Sequence, residues 1–232
     1  MTAKLTTIGF DADDTLWQNE QFFRLTHDRF AELLTDFTEE DHLAERLLDA
    51  ERRNLGRYGF GVKGFVLSMI ETAIEVSNSN VSAKVIQELI EVGQEMLSSP
   101  INLLPSVQET VETLAGKYYL ILITKGDLLD QERKLAQSGL GDYFDGVEIV
   151  SNKTPETYTN IFDRHGKETD KAMMVGNSMR SDVLPAIEAG CWGVFVPHEL
   201  TWSLEHATAP RDHPKFYSLT HIGDLRDLLK EL

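Results

Sequence analysis

The sequence predicts an α/β protein: a parallel sheet covered by helices on both faces, with a separate helical domain inserted after the first strand. Two observations lead to this fold class. Apolar runs alternate with segments of helical spacing from residue 100 onward, as in a doubly wound sheet with right-handed crossovers. Residues 17–99 show helical spacing and no convincing strand. We therefore expect an α/β core of residues 1–16 and 100–232 and a helical cap domain of residues 17–99.

The predicted strands are short, uninterrupted apolar runs, which are typical of a parallel sheet buried on both faces. They are Leu5–Phe10, Tyr118–Ile123, Val147–Val150, Ala172–Val175 and Gly193–Val196, with a last strand beginning at Phe216–Tyr217. Polar or charged residues directly follow the first four runs. These strand ends are therefore the first place to look for a functional site.

Helices are predicted between these strands, each followed by a glycine that can end it. They are 107–114, Asp127–Ser138, Pro155–Arg164 and Arg180–Ala189, followed by Ile222–Leu232 at the end of the chain. Ser106 and Glu109 have the spacing of a capping box, so we expect the Ser106 side chain to cap the first of these helices.

The predicted insert is far longer than the crossover between two parallel strands requires. Four segments in it have helical spacing: Phe22–Leu34, Asp41–Arg52, Gly64–Glu75 and Ala83–Ser98. The glycine-rich stretch 57–64 is predicted to be a loop. Trp17, Phe22 and Phe23 are expected to pack where the chain enters the insert.

Composition excludes several classes of protein. Asp and Glu outnumber Lys and Arg by 38 to 22, a formal net charge of −16, so the surface repels nucleic acids and anionic membranes. The single cysteine, Cys191, predicts a buried thiol and no internal disulfide. The first residues lack a signal-peptide pattern, and no apolar run approaches the length of a membrane span. We therefore expect a cytoplasmic protein whose anionic ligands are attracted only locally.

Ligands of an open parallel sheet bind at the carboxyl ends of its strands. Six polar residues lie at or just beyond predicted strand ends: Asp11, Asp13, Thr124, Lys153, Asn177 and Asp182. A carboxylate such as Asp11 can attack phosphorus and form an acyl phosphate. Asp13 can protonate the leaving group and later deprotonate water. The residue types therefore point to phosphoryl transfer.

The remaining polar groups suit phosphate and cation binding. The Thr124 hydroxyl, the backbone N–H groups around Lys125 and Gly126, and the Lys153 ammonium can hold phosphate oxygens. Arg57 and Lys63 in the insert are weaker candidates for contact with the rest of the substrate.

Mg²⁺ prefers octahedral oxygen coordination. Asp11, the backbone carbonyl of Asp13 and Asp182 can supply such ligands, and the Asn177 amide can bind or orient one.

These residues resemble the motifs of the haloacid dehalogenase-like hydrolase superfamily. Its DxDx[TV] motif matches residues 11–15, its Ser/Thr strand end matches Thr124, its lysine matches Lys153, and its acidic last motif matches VGNSMRSD, residues 175–182. The resemblance implies a Rossmann-like core, a helical cap after the first motif, and a Mg²⁺-dependent phosphatase acting on a small phosphorylated metabolite. It also implies that Thr15 steadies the first loop. Asn177 stands where many family phosphatases have an acid.

Three alternatives stay open. A 2-haloacid dehalogenase would use the same nucleophile without Mg²⁺; Asp13 argues against it and Asn177 mildly favours it. A phosphosugar mutase would share the aspartyl-phosphate chemistry. A non-catalytic phosphate-binding protein could keep the fold, although the intact motif residues argue against it.

Overall fold

The computed structural model describes residues 4–232, which contain a parallel sheet of six strands in the order β3-β2-β1-β4-β5-β6. The strands are β1 (Thr7–Phe10), β2 (Tyr119–Lys125), β3 (Gly146–Val150), β4 (Ala172–Gly176), β5 (Trp192–Phe195) and β6 (Phe216–Ser218). The strand order reverses between β1 and β4, which is the position where open α/β sheets bind ligands. The predicted fold class, a doubly wound parallel sheet, is confirmed.

The helices follow the predicted segments closely. They are α1 (Glu20–Leu34), α2 (Glu40–Tyr58), α3 (Val62–Val76), α4 (Ala83–Ser98), α5 (Val107–Leu114), α6 (Leu128–Ser138), α7 (Pro155–Arg164), α8 (Leu184–Glu188) and α9 (Leu225–Glu231). None of the helices described between residues 4 and 232 is long and apolar enough to cross a membrane.

Both faces of the sheet are buried, as the unbroken apolar runs predict. Side chains alternate along β2, so Leu120 and Leu122 pack in one apolar cluster while Ile121 and Ile123 pack in another. The first cluster includes residues of α5 and α9, and the second includes residues of α7. Cys191 is free and fully buried in the second cluster. The two clusters cover both faces of the sheet and leave the carboxyl ends of its strands at one edge.

The chain divides into two compact units. The first runs to Glu20 and continues through Ile101–Lys125 and Gln131–Leu232; it contains the whole sheet. The second comprises Gln21–Pro100 and Gly126–Asp130. Its core is a separate apolar cluster from α1 to α4: Phe30, Leu34, Leu43, Leu47, Val62, Phe65, Met69, Ala73, Leu89 and Met96. Phe22 and Phe23 pack against this cluster.

Two local predictions are wrong. Ser106 makes no capping hydrogen bond through its side chain, because its backbone is left-handed with φ of 65°. The predicted loop 57–64 shrinks to three residues between α2 and α3, since Gly59 and Gly61, with φ of 74° and 114°, turn the chain tightly. Trp17 is fully buried in the apolar cluster of the first unit and forms a bridge with Leu103.

The helix predicted over 180–189 begins as a π-helical turn, Met179–Val183, before it becomes α8. Pro185 lacks the backbone N–H that would donate to the carbonyl of Ser181 in a regular helix. The Tyr158 hydroxyl donates to that carbonyl instead, at 3.0 Å. The wider turn contains Asp182.

Candidate active site

One ammonium group joins three strand ends at the centre of the sheet edge. Lys153, which follows β3, donates from Nζ to Asp11 Oδ1 at 2.5 Å and to Asp182 Oδ1 at 2.7 Å. The side chains of Lys153 and Asp182 are each 1% exposed, and that of Asp11 is 11% exposed. Asp11 directly follows β1, and its backbone N–H donates to the carbonyl of Val175 on β4. Three residues separated by up to 171 positions in sequence therefore meet through one buried ammonium group.

The charges at this point do not balance, since one ammonium faces two carboxylates. Burial raises the pKa of Asp11 to about 7, and the Asp182 carboxylate adds to the rise, although Lys153 opposes it. Burial lowers the pKa of Lys153, but the two carboxylates raise it more, so its pKa lies above the ordinary value. Lys153 therefore stays charged, and Asp11 is the group that exchanges a proton near neutrality. An added cation would favour the ionised form of Asp11.

Asp182 is held by donors on both of its oxygens. Oδ1 accepts from Lys153, and Oδ2 accepts from the backbone N–H of Ser178 at 2.8 Å. Gly176, the last residue of β4, makes room for this carboxylate: a Cβ placed on it would lie 2.2 Å from Asp182 Oδ2. The strand end thus requires glycine because of packing.

Replacing Gly176 with alanine tests this packing. We expect Gly176→Ala to lower the free energy of unfolding by roughly 1–3 kcal/mol, as overpacked cores do, and to displace Asp182 from Lys153. Urea denaturation measures the first effect. Gly141→Ala is the control in the same unit, because the nearest atom to its Cβ would be 4.0 Å away. Equal stability of the two variants would contradict the tight packing.

Thr15 links the first loop to the fourth strand end. Its Oγ1 lies 3.1 Å from Asp11 Oδ2 and accepts from the backbone N–H of Asn177 at 3.0 Å. One end of the Asn177 side-chain amide lies 3.2 Å from Asp11 Oδ2 and 3.3 Å from the backbone oxygen of Asp13. With its NH₂ group turned there, the amide donates to these acceptors; with its oxygen turned there, the amide oxygen lies beside both of them.

Two oxygen separations at Asn177 are compatible with adjacent ligands of a magnesium ion. Adjacent ligands of octahedral Mg²⁺ are separated by about 3 Å, given metal–oxygen distances near 2.1 Å, and the separations at Asn177 are 3.2 and 3.3 Å. Among the side chains of residues 4–232, no group of three or more His, Cys, Asp or Glu is arranged to hold a metal. A cation here would therefore depend on one carboxylate, one backbone carbonyl and one amide.

The Asp13 carboxylate is held by donors that the sequence did not reveal. Trp17 Nε1 donates to Oδ1 at 2.8 Å, Gln131 Nε2 donates to Oδ2 at 2.8 Å, and Lys134 Nζ lies 3.0 Å from Oδ1. Gln131 and Lys134 are three residues apart on α6, so they share a helix face. The three-residue spacing of two polar side chains on the helix after β2 is the sequence pattern that could have predicted these contacts with Asp13. Asp13 remains partly exposed, with 22% of its side chain accessible.

The predicted phosphate-binding residues lie at the end of β2. Thr124 is buried, with 1% exposure, beside the strand ends that carry Asp11 and Lys153. Lys125 is not turned outward: its Nζ donates to Glu205 Oε1 at 2.6 Å and to Ser181 Oγ at 2.8 Å. Gly126 has φ of 134°, which favours glycine.

The two predicted cap residues belong to the second unit. Arg57 is exposed in the last turn of α2, and Lys63 is exposed on α3 with its Nζ 3.4 Å from Asp127 Oδ1. Their role in substrate binding stays a prediction.

Comparison with known proteins identifies the family. Residues 5–190 match the family described as haloacid dehalogenase-like hydrolase. The chain belongs to the haloacid dehalogenase-like hydrolase family. The solved structure of a haloacid dehalogenase-like hydrolase from Xanthomonas campestris is 35% identical and has a TM-score of 0.88, over 99% of this chain and 94% of that one.

Two curated relatives are similar along nearly the whole chain. Glyceraldehyde 3-phosphate phosphatase from Methanothermobacter thermautotrophicus is 27% identical over 97% of this chain and 98% of its own length. Pyrimidine 5'-nucleotidase YjjG from Escherichia coli is 26% identical over 96% of each chain. The predicted family is therefore confirmed, and so is the prediction of a phosphatase-type hydrolase of this haloacid dehalogenase-like family.

Proposed function

We propose that this chain is a Mg²⁺-dependent phosphomonoester hydrolase that acts on a small phosphorylated metabolite through an aspartyl-phosphate on Asp11. The observation that carries the proposal is the shared contact of Lys153 with Asp11 and Asp182, beside an Asn177 amide that lies within 3.3 Å of Asp11 Oδ2 and the Asp13 carbonyl. An anionic phosphate cannot approach a buried carboxylate unless positive charge compensates. Lys153 and a cation between Asp11, the Asp13 carbonyl and Asn177 would provide that charge.

The residues divide the reaction between them. Asp11 Oδ1 or Oδ2 attacks phosphorus, and the bond to the alcohol oxygen of the substrate breaks. Asp13 gives the leaving oxygen a proton and takes one from the water that later hydrolyses the aspartyl-phosphate. The Thr124 hydroxyl, Lys153 and the backbone N–H groups after β2 bind the phosphate oxygens. Bound Mg²⁺ would neutralise charge that develops on the transferred group.

We propose for Asp182 a different part from the one expected on sequence. Because both of its oxygens accept from Lys153 and Ser178, we assign it as the anchor of Lys153, and we assign Asn177 as the side-chain ligand that accompanies Asp11. This leaves the metal site with one formal negative charge from side chains. The cation should therefore bind more weakly than at a site with two carboxylates.

A screen of phosphate esters tests the proposal. Triose phosphates, pyrimidine nucleoside monophosphates and a generic aryl phosphate are incubated with Mg²⁺ and with EDTA, and released phosphate is measured. We expect Mg²⁺-dependent release from at least one ester. Chloride release from a 2-haloacid without metal would favour a dehalogenase, transfer of phosphate within one sugar would favour a mutase, and phosphate binding without turnover would favour a binding protein.

We place the enzyme in the cytoplasm, as the sequence suggests.

The assignment of Asn177 predicts the effect of restoring an acid there. Asn177→Asp adds a carboxylate of the same shape beside Asp11, so Mg²⁺ should bind about tenfold more tightly in calorimetry. Asn160→Asp is the control, because Asn160 is exposed on α7 and the change adds the same charge to the protein. Unchanged Mg²⁺ affinity in Asn177→Asp would show that the amide is not a ligand.

A further inference from the structure

Glu205 reaches the active site from a loop that carries none of the motifs. It lies at the end of a short turn, Ser203–Glu205, between β5 and β6. Its side chain is 16% exposed. Oε1 accepts from Lys125 Nζ at 2.6 Å, and Oε2 accepts from Ser181 Oγ at 2.5 Å and from Ser178 Oγ. Both oxygens of a nearly buried carboxylate are thus occupied by groups at the site.

The partners of Glu205 belong to the two strand ends on either side of β1. Lys125 directly follows Thr124 at the end of β2. Ser178 and Ser181 lie in the turn that contains Asn177 and Asp182, directly after β4. Lys125 also donates to Ser181 at 2.8 Å, so Glu205, Lys125 and Ser181 form a closed ring of hydrogen bonds. Glu205 therefore joins the two strand ends from above the sheet edge.

A continuous chain of hydrogen bonds leads from Glu205 to the nucleophile. The Ser178 hydroxyl donates to Glu205 and accepts from the Ser181 backbone N–H at 2.9 Å. The Ser178 backbone N–H donates to Asp182 Oδ2, and Asp182 Oδ1 accepts from Lys153, which contacts Asp11. Because Glu205 accepts both serine protons, it fixes the direction of each hydroxyl and hence the shape of the turn.

The charge of Glu205 also supports a role in holding these groups in place. Burial raises the pKa of Glu205, but the ammonium of Lys125 and the bonds from Lys125, Ser178 and Ser181 lower it more, so the pKa lies below the ordinary value. The carboxylate is ionised at neutral pH and neutralises Lys125. The Lys125 side chain is therefore fixed by an acid of the same unit, and the role predicted for the backbone N–H groups around Lys125 stays a prediction.

We infer that Glu205 is a positioning residue for phosphoryl transfer, which fixes the turn 177–182 so that Asp182 holds Lys153 and Asn177 faces Asp11. The inference rests on the proposed phosphatase function. A residue that orients groups around a metal site typically changes metal affinity or activity about 10–100-fold when it is removed. The effect should fall on the chemical step more than on substrate binding, because both carboxylate oxygens of Glu205 are occupied by Lys125, Ser178 and Ser181.

Three variants test this inference: Glu205→Gln, Glu205→Ala and, as the matched control, Glu199→Gln, an exposed acid of the same loop. With a generic aryl phosphate and Mg²⁺, we expect kcat to fall about tenfold or more in Glu205→Ala, with KM changed less than about threefold. Glu205→Gln should be intermediate, because it keeps an acceptor for the serines. Glu199→Gln should match the original enzyme. Calorimetry should show weaker Mg²⁺ binding in Glu205→Ala alone.

Two results would overturn the inference. One is a lower melting temperature in Glu205→Ala with kcat and Mg²⁺ affinity unchanged, which would show that Glu205 only stabilises its loop. The other is a rise in KM at constant kcat, which would make it a substrate contact. Absence of hydrolysis by the unaltered enzyme would count against the proposed function instead, and the Mg²⁺ calorimetry of the three variants would still test the role of Glu205.

Discussion

Asp11→Asn should abolish phosphate ester hydrolysis, lowering kcat by at least about 10⁴-fold, as removal of a nucleophile does. The amide cannot attack phosphorus, and it cannot supply the anionic oxygen for a cation. The loss should not come from unfolding. Since burial raises the pKa of Asp11 to about 7, the ionised carboxylate is costly in the metal-free protein, and an amide of equal size leaves Lys153 paired with Asp182 alone. Urea denaturation in EDTA should show equal or greater stability.

Asp14→Asn is the control for this experiment. Asp14 is also buried, with 7% exposure, and its pKa is raised to about 6, mainly by burial. Its carboxylate accepts from the backbone N–H groups of Asn19 and Glu20 at the start of α1. An asparagine oxygen can still accept these bonds, so activity should stay within about threefold. Comparable activity in Asp11→Asn and Asp14→Asn would refute the assignment of the nucleophile.

Lys153→Met should damage both stability and catalysis. It leaves Asp11 and Asp182 side by side and buried without their shared ammonium. Breaking a buried ion pair costs about 3–5 kcal/mol, and loss of one group that stabilises transition-state charge lowers kcat about 10²–10³-fold. Urea denaturation in EDTA and steady-state kinetics with Mg²⁺ measure the two effects.

The stability loss in Lys153→Met should depend on pH with a definite sign. The folded-state pKa of Asp11 already exceeds that of the unfolded chain, and without Lys153 it rises further. The native state then binds more protons than the unfolded state, so stability falls as pH rises from about 4 through neutrality. The double variant Lys153→Met with Asp182→Asn should regain stability without activity. Full stability at pH 8 in Lys153→Met would contradict the buried charge balance.

The sheet and the central site were predictable from sequence because both depend on simple periodicities. Unbroken apolar runs specify strands buried on two faces, and parallel strands bring their carboxyl ends to one edge. Asp11 and Thr124 directly follow such a run, and Lys153 and Asp182 lie three and seven residues beyond one, so their approach at one edge could be predicted without knowledge of side-chain direction.

What was not predictable depends on side-chain direction and irregular backbone. Sequence placed Asp182 near Asp11, but it could not show that both of its oxygens are engaged by Lys153 and Ser178. Glu205 lies in a loop without periodicity, 80 residues from Lys125, so no spacing rule connects the two. The Ser106 cap failed because a left-handed φ overrides the capping pattern.

The neutralised lysines have a consequence for how an anion reaches the site. Lys153 is enclosed by two carboxylates and Lys125 is paired with Glu205, while the chain carries a net charge of −16. The net charge therefore repels an anion at long range, the opposite of the electrostatic steering that accelerates association in many enzymes. Ionic strength, by screening the repulsion, becomes a condition that favours substrate encounter rather than one that weakens it.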